Sequence, residues 1–274
     1  SLQHLDLRSN QISNLDLSQN TSLQHLDLRT NQISNLDLSQ NTSLQHLDLR
    51  SNQISNLDLS QNVNLTYLKC GYNQLSYLDL NQNINLTHLD CYVNQLSYLD
   101  LSQNVNLSYL DCSYNQLSHL DLSQNINLTD LECAINLITF LDLEYNTILT
   151  HLNCRSNKIS YLNVNQDTAL VSLNCSDNNL SSLDINQNPN LTYLNCSNNQ
   201  LLNLDIRNGN NTNFTFFRCR DNDSLNCISV DDSVWANTNW NNNSNLGSGS
   251  SIIFSNNCPS VDVYTNIPDS IFEQ

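Results

Sequence analysis

The sequence predicts an all-β-rich solenoid in which each coil of 21 residues supplies two short parallel strands, with no helices in the array and a cap at its C-terminal end. A 21-residue unit that begins at Ser1 recurs ten times, to residue 210, without insertion or deletion. Each unit carries two Leu-x-Leu dyads or close equivalents, and Asn stands at unit position 10 and usually at position 20. A fixed period of this length is typical of stacked repeats.

The apolar positions of the unit predict its strands and its core. They are positions 2, 5, 7, 12, 15 and 17, so the unit is nested, with ten residues followed by eleven. The dyad in each half has the period of two that marks a short, half-buried strand. Neither half has room for a helix beside its strand and turn. Stacked coils should therefore form two parallel sheets, with about 4.8 Å between neighbouring coils.

The Asn residues predict the turns. Asn tolerates unusual backbone angles, and its amide can satisfy backbone N–H and C=O groups that would otherwise be buried without partners. In register, Asn10, Asn31, Asn52, Asn73 and their equivalents should form a ladder along the axis. We expect this ladder to be structural and not a ligand site.

Net charge and hydropathy exclude two classes of function. The formal net charge is −17, whereas nucleic-acid binding needs clustered Lys and Arg to neutralise phosphates. No apolar run approaches the roughly 18 residues that a transmembrane helix requires, so no membrane insertion is expected.

Eight of the ten cysteines occupy one predicted core column. Neighbouring side chains there should be parallel and about one coil apart, with Cβ atoms outside the range of a disulfide. We expect buried, reduced and inert thiols, and no metal site, because stacked ligands in an apolar core cannot surround an ion. Cys227 and Cys258 lie beyond the repeats, and a disulfide between them should hold the cap together. The column consists of Cys70, Cys91, Cys112, Cys133, Cys154, Cys175, Cys196 and Cys219.

The pattern L-x-x-L-x-L-x-x-N-x-[IL], from residue 1 to about residue 222, resembles the leucine-rich-repeat signature. Units with Cys at position 7, such as NLSYLDCSYNQLSHLDLSQNI, resemble the nested cysteine-ladder class, which includes internalin J-like adhesins and many secreted proteins of Bacteroidota. The resemblance implies a leucine-rich-repeat fold and an extracellular or cell-surface adhesion module, secreted or on a bacterial outer surface. Such a module would bind a protein or carbohydrate ligand.

Three regions are predicted along the chain. Residues 1–210 are the ten repeats, residues 211–258 are a degenerate repeat and the cap, and residues 259–274 are a linker or the start of a following module with Asp269 as a helix N-cap. The chain is therefore expected to be part of a longer polypeptide. The predicted cap residues are Phe214, Phe216, Phe217, Ile228, Val230, Val234, Trp235, Trp240, Ile252, Ile253 and Phe254.

Repeats 4 to 7 contain the candidate ligand site. They hold nine of the 26 acidic residues, eight of the 11 Tyr and a single basic residue, Lys69. Exposed Tyr offers rigid contact area and a hydroxyl, which suits a protein or a sugar surface. The alternative is that these rings merely cover the sheet. The candidate ligand-binding residues are Tyr67, Tyr72, His88, Asp90, Tyr92, Tyr109, Asp111 and Tyr114.

The His-x-Asp-x-Arg trio of repeats 1 to 3 invites a catalytic interpretation, which we reject. The trio recurs three times in succession, and no Ser or Cys nucleophile shares its face. No catalytic residue is therefore assigned, and the chain is not expected to be an enzyme.

Asp at position 16 forms a second outward column, from Asp16 to Asp142. Neighbouring carboxylates should repel each other and raise some of their pKa values. The column is expected to be a solvated face, with weak divalent-cation binding as the alternative. No other cofactor is expected, because no D-x-[DN]-x-[DN]-G loop is present.

Four Asp-Ser/Thr-aliphatic triplets resemble the O-glycosylation motif of Bacteroidota. They make Thr168, Ser224, Ser233 and Ser270 candidate O-glycosylation sites.

The predicted function is a binding or adhesion module. The alternative is a structural spacer or self-assembling element of a large surface protein, which the near identity of repeats 1 to 3 would suit.

Overall fold

The computed structural model describes residues 2–241, 243–247 and 252–259, and it has the predicted solenoid architecture. The first strands of successive coils form one eleven-stranded parallel sheet, which we call the front sheet. With strands numbered in chain order, it consists of β1 (His4–Asp6), β2 (His25–Asp27), β3 (His46–Asp48), β4 (Tyr67–Lys69), β5 (His88–Asp90), β6 (Tyr109–Asp111), β7 (Asp130–Glu132), β8 (His151–Asn153), β9 (Ser172–Asn174), β11 (Tyr193–Asn195) and β13 (Phe216–Arg218).

Front strands pair in register, so that equivalent residues of neighbouring coils lie side by side. Leu5 is opposite Leu26, 21 residues later, and the same offset holds along the array as far as β11. Leu194 is opposite Phe217 at the last step, where the offset grows to 23 residues. The eleventh, degenerate unit is therefore a true coil that accommodates two additional residues.

The second sheet is shorter than predicted. Its regular strands are β10 (Ser182–Asp184), β12 (Asn203–Asp205), β14 (Cys227–Ser229) and β15 (Ile253–Ser255). In coils 2 to 8 the equivalent segments bury the apolar residues at positions 15 and 17, but in coils 1 to 8 they form no regular strand among the described residues. Outward positions 13, 14 and 16 face solvent, so water can satisfy the backbone there and no ladder is required.

The core consists of the predicted columns. From the second coil to the cap, the apolar residues at positions 2, 5, 7, 12, 15 and 17 are buried in one continuous cluster. All eight cysteines of the column are free and buried, as expected. Burial raises the pKa of their thiols, to about 12 for Cys154 and Cys219, which keeps them protonated and unreactive.

The turn after the front strand differs in one respect from the prediction. Position 9 adopts the left-handed conformation in every coil, with φ between 51° and 59°, and the Asn at position 10 does not. Bulky residues such as Val93 (φ 51°) and Ile135 (φ 55°) are held in a region that disfavours them. The expectation that Asn supplies the unusual backbone angle was therefore wrong.

The Asn at position 10 acts through its amide. The Asn115 Nδ2 donates to the carbonyl of Cys91 in the preceding coil and to that of Cys112 in its own coil, both at 3.1 Å. Its Oδ1 accepts from the Leu96 N–H at 2.9 Å. Each such side chain therefore bonds one coil to the coil before it.

A second amide column lies at position 20, and Asp167 interrupts it. The Nδ2 of Asn146 donates to the carbonyls of Leu122 and Asn125, at 3.2 and 2.9 Å. Asp167 has no amide hydrogen to donate, its exposure is 0%, and neither carboxylate oxygen has a hydrogen-bond partner among the described protein atoms. Burial raises the pKa of Asp167 to about 7.

The cap closes the last coil with an aromatic cluster and two short helices, α1 (Ser233–Asn239) and α2 (Asn243–Leu246). Trp240 is buried against Phe217, with ring centroids 4.6 Å apart, and also contacts Phe254. Cys227 is joined to Cys258, with a Cα–Cα distance of 5.8 Å. Val234 and Ile253 do not cover the core as predicted, because they are 77% and 58% exposed on the outer sides of α1 and β15.

Residues 260–274, which include Asp269 and most of the predicted linker, lie outside the described residues. None of the helices in the described ranges has the length and apolar character needed to cross a bilayer.

Replacing Asp167 with Asn should stabilise the fold at neutral pH. The raised pKa means that the folded chain retains a proton that the unfolded chain loses between about pH 4 and pH 7, so the contribution of Asp167 to stability falls as pH rises through this window. Asp167→Asn restores the amide donor and should increase the free energy of unfolding by about 1–3 kcal/mol at pH 8. Chemical denaturation at pH 8 and at pH 4 measures the gain, which should be much smaller at pH 4. The solvent-exposed Asp142→Asn is the matched control, and an equal gain for Asp167→Asn at both pH values would contradict the argument.

Candidate functional site

The front sheet carries a continuous stack of six rings at unit position 4. Neighbouring centroids are 4.0–4.2 Å apart and neighbouring ring planes are within 8–12° of parallel. The in-register pairing of β1 to β6 produces the stack, because each ring lies beside its equivalent in the next coil. The rings belong to His4, His25, His46, Tyr67, His88 and Tyr109.

The eight candidate ligand residues come together at the C-terminal half of this stack, on β4 to β6 and the turns that follow them. Tyr67, His88 and Tyr109 are consecutive rings of the stack. Asp90 and Asp111 lie side by side in the next outward column. Tyr72, Tyr92 and Tyr114 lie in the turns, where Tyr72 and Tyr114 are 48% and 51% exposed. We call these eight residues the tyrosine patch.

A glycine shapes one edge of the tyrosine patch. Gly71 occupies the position that is Arg in coils 1 to 3. A Cβ atom at Gly71 would lie 2.5 Å from Cδ1 of Tyr92, so the Tyr92 ring can cover this position only because the side chain is absent. The Tyr92 ring meets Tyr72 edge to face, with centroids 4.6 Å apart. Burial, together with the adjacent Tyr72, raises the pKa of Tyr92.

The carboxylates of the tyrosine patch are poorly solvated. Asp90 is only 6% exposed, and burial, reinforced by the neighbouring Asp111, raises its pKa to about 6. Burial also raises the pKa of Asp111 and of Glu132, which follows Asp111 in the same column. Glu132 accepts a hydrogen bond from the Asn153 Nδ2 at 2.7 Å. Glu132 was missed at the sequence level, although its place at position 6 of the next unit was a usable signal.

The same column is neutralised in coils 1 to 3. There the carboxylates of Asp6, Asp27 and Asp48 each lie within 3.5 Å of the Arg two residues later. The Arg50 Nη2 is 2.6 Å from Asp48, and the bonds from Arg50 outweigh burial and hold the pKa of Asp48 below its ordinary value.

In coils 5 to 7 the Arg position is occupied by Tyr92, Ser113 and Ala134. Among the described ion pairs, none involves Asp90, Asp111 or Glu132. The nearest base in this column is Lys69, whose Nζ lies 5.1 Å from the centroid of Tyr67.

Local hydrogen bonds outweigh the repulsion expected among the position-16 carboxylates. The backbone N–H two residues later bonds each one, as from Ser102 to Asp100 at 3.0 Å. These bonds lower the pKa of Asp16, Asp37, Asp58, Asp100 and Asp121. The prediction that some of these pKa values rise was wrong for these five, because local hydrogen bonds outweigh repulsion between solvated groups. Among the described residues, no group of three or more His, Cys, Asp or Glu is arranged to hold a metal ion.

The candidate glycosylation sites differ in accessibility. Thr168 and Ser224 are exposed. Ser233 begins α1 and is half-buried, and its Oγ donates to the Asn256 Oδ1 at 2.5 Å. Ser270 lies outside the described residues.

Comparison with known proteins agrees with the repeat and with the cysteine column. A family model described as Leucine Rich repeats (2 copies) matches residues 1–40. The functional domain of InlJ from Listeria monocytogenes, described as including a cysteine ladder, is 39% identical with a TM-score of 0.78. The alignment covers 84% of this chain and 54% of that domain. The chain is a leucine-rich-repeat protein. The predicted fold class and the resemblance to the cysteine-ladder class are thereby confirmed.

Two more distant structures share the fold. An internalin from the same species, InlF, is 24% identical, with a TM-score of 0.65 and with 94% of this chain and 81% of that one covered. The leucine-rich-repeat ectodomain of the receptor kinase GASSHO1/SCHENGEN3 from Arabidopsis thaliana, in complex with Casparian strip integrity factor 2, is 21% identical. Its TM-score is 0.77, and 92% of this chain and 33% of that one are covered. No curated protein sequence matches this leucine-rich-repeat chain.

The ring stack should resist protonation. Burial, with the neighbouring His25 and Lys69 respectively, lowers the pKa of His46 and of His88 to about 4. Unfolded His titrates near 6.5, so the stability that these rings contribute is present above that pH and is lost as pH falls through about 4. NMR titration of the imidazole signals measures both pKa values. Tyr67→Ser, which places there the residue of coil 9, should open the stack and raise the pKa values of both His46 and His88. If the His46 and His88 signals of the native chain titrate near 6.5, the rings are not sequestered and the argument is wrong.

Proposed function

We propose that this leucine-rich-repeat chain is a non-enzymatic binding module, exposed on or secreted from a cell, that holds a protein or carbohydrate ligand on the tyrosine patch. The observation that carries the proposal is the row of carboxylates formed by the buried Asp90 and the half-buried Asp111 and Glu132, which lack the Arg partners of coils 1 to 3. A ligand that supplies hydrogen-bond donors or positive charge would compensate them.

The aromatic side chains favour the same surface. Tyr72 and Tyr114 project from the turns with about half of each side chain exposed. Tyr offers contact area at low entropic cost, and its hydroxyl can bond either a peptide or a sugar. The stacked rings of Tyr67, His88 and Tyr109 hold the floor of the patch rigid, so binding there would order few side chains.

The relatives support a binding role. The Arabidopsis receptor ectodomain was solved with a bound factor, and internalins with this fold are among the similar structures. We propose an extracellular location, on a bacterial surface or secreted, from the likeness to the Listeria cysteine-ladder domain. A net charge of −17 argues against nucleic acid as the ligand.

A structural role for coils 1 to 3 is a second candidate. Their position-6 carboxylates are neutralised internally by Arg8, Arg29 and Arg50. This part of the front sheet therefore has less unsatisfied charge to offer a ligand. We propose that these coils set the reach of the tyrosine patch within a longer surface protein.

Substitutions drawn from other coils should weaken ligand binding without harming the fold. Tyr72→Ser and Tyr114→Ser restore residues found at position 9 of coils 1 and 3, and Asp111→Asn removes one carboxylate. The triple variant should bind roughly tenfold more weakly or worse, because it removes two aromatic contacts and one charged hydrogen bond.

Glycan arrays and surface-immobilised extracellular proteins, probed with the labelled chain, identify the ligand and measure the loss. Tyr145→Gln, at an exposed ring outside the patch, is the matched control and should bind normally. Equal binding by the triple variant and the native chain would place the ligand elsewhere.

A further inference from the structure

A second aromatic column lies outside the tyrosine patch, on the segments behind the front sheet. It occupies unit position 14 of coils 4 to 8, and we call it the back stripe. Its residues are Tyr77, Tyr98, His119, Phe140 and Tyr161. Tyr77 and Tyr98 are each 59% exposed and Tyr161 is 52% exposed. The stripe has sharp ends, since the same position is Asn in coils 1 to 3, Ser in coil 9 and Asn in coil 10.

The core does not require these rings. On either side of each ring, the leucine or isoleucine at position 12 and the leucine at position 15 are buried, as Leu96 and Leu99 are around Tyr98. Coils 2 and 3 bury isoleucine at position 12 and leucine at position 15 with Asn at position 14. Five consecutive exposed rings at about 4.8 Å per coil extend over roughly 19 Å. A contiguous patch of this kind is typical of an interaction surface.

The surface beside the first four rings of the back stripe is acidic. Asp79, Asp100, Asp121 and Asp142 stand two residues after the first four rings, on the same outward side. Between residues 64 and 147 the single Lys or Arg is Lys69, which lies on the front sheet in β4. No Lys or Arg of coils 4 to 7 therefore lies in the back segments to neutralise the carboxylates; His119 is part of the stripe itself, and in coil 8 Lys158 precedes Tyr161.

Rings and carboxylates meet in a pocket. Between coils 5 and 6, Tyr98, Asp100, His119 and Asp121 line a depression of about 130 Å³. A cationic group seated there would face aromatic rings and two carboxylates. Ring faces attract cations, and this attraction adds to the ion pair.

The front sheet shows how the chain itself places a cation beside a ring. Lys69 Nζ lies 5.1 Å from the Tyr67 centroid, and the Arg218 guanidinium lies 4.9 Å from the Phe216 centroid. In both pairs the cation follows the ring by two residues. In the back stripe the residue two positions after each of the first four rings is Asp, so the cation has to come from another molecule.

We propose that the back stripe is a second docking surface, which binds a basic segment of a partner polypeptide with its Arg or Lys side chains against the rings and the adjacent carboxylates. Charge complementarity identifies the occupant, because the rings offer area and a carboxylate stands two residues after each of the first four rings. A stripe of roughly 19 Å accommodates about six residues of extended chain. The buried leucines separate this surface from the tyrosine patch, so the two surfaces are independent.

Binding of a labelled peptide of alternating Arg and Ser tests the proposal by fluorescence anisotropy. The main variant replaces Tyr77, Tyr98 and Phe140 with Asn, the residue of coils 1 to 3, and Tyr161 with Ser, the residue of coil 9. The net charge is unchanged, so general attraction between the acidic chain and a basic peptide is retained. We expect at least roughly tenfold weaker binding, from the loss of several cation–π contacts.

Two controls separate the back stripe from other surfaces and from misfolding. Tyr193→Ser, on β11 of the front sheet and outside both surfaces, places there the residue of coil 9 and should leave peptide affinity unchanged. The double variant Asp100→Asn, Asp121→Asn keeps every ring. It should bind the peptide more weakly than the native chain and with a smaller dependence on salt. It tests the proposal even if circular dichroism shows that the four-ring variant is poorly folded. A four-ring variant that folds and binds as tightly as the native chain overturns the proposal. The proposal is also overturned if loss of the rings weakens the binding of a neutral polysaccharide but not of the peptide, because the stripe would then be a glycan-binding surface.

Discussion

The side-chain amide at position 10 is the constraint on which the rest of the molecule depends. One amide, as at Asn115, donates to a carbonyl of its own coil and to a carbonyl of the coil before it, and it accepts from a backbone N–H of that preceding coil. These groups lie at the end of the front strand, where the chain turns away and the ladder can no longer satisfy them. Because the amide is shared between coils, it fixes their register as well as their turns. A slip of one residue would break every such bond and would turn the buried leucines outward.

Because the coils stack in register, the residues at each unit position form a column along the axis. Once equivalent residues lie side by side, a choice made at one unit position is repeated along the axis. The six-ring stack, the thiol column and the row of position-16 carboxylates all arise in this way. Where the column continues unchanged, as in coils 1 to 3, its charges are balanced locally by Asp–Arg pairs. Distinct surfaces arise only where a column changes its residue type, as it does between Arg50 and Gly71.

The sequence alone predicted the features that follow from periodicity. The 21-residue unit predicted the coil, the register, the buried columns and the free thiols. It also predicted which Tyr, His and Asp residues share a neighbourhood, because residues 21 apart must be adjacent in a stacked array.

The remaining features depend on hydrogen bonds and on burial, which the repeat pattern of the sequence does not show. The left-handed residue is at position 9 because the amide of Asn at position 10 is needed for bonding. The position-16 pKa values fall because of a backbone N–H that the repeat alone does not reveal. The repeat pattern does not show that Glu132 is partly buried beside Asp111, and it is this burial that raises the pKa of Glu132. The aromatic column at position 14 was not recognised from the sequence, because only the exposure of its rings in the structure distinguishes a surface from a core position.

The arrangement of sulfur atoms affects how such a chain matures. Eight thiols lie in the interior and become inaccessible to oxidants as each coil packs onto the previous one, whereas Cys227 and Cys258 follow the array in the chain and meet only when the cap has closed. In oxidising surroundings, correct disulfide pairing therefore depends on whether the coils stack before or after the cysteines are oxidised. A chain whose coils assemble first offers an oxidant only the one intended pair, while a chain oxidised before assembly exposes ten competing sulfurs. Stacking of the coils before oxidation therefore favours the Cys227–Cys258 pairing, because it removes the other eight sulfurs from competition.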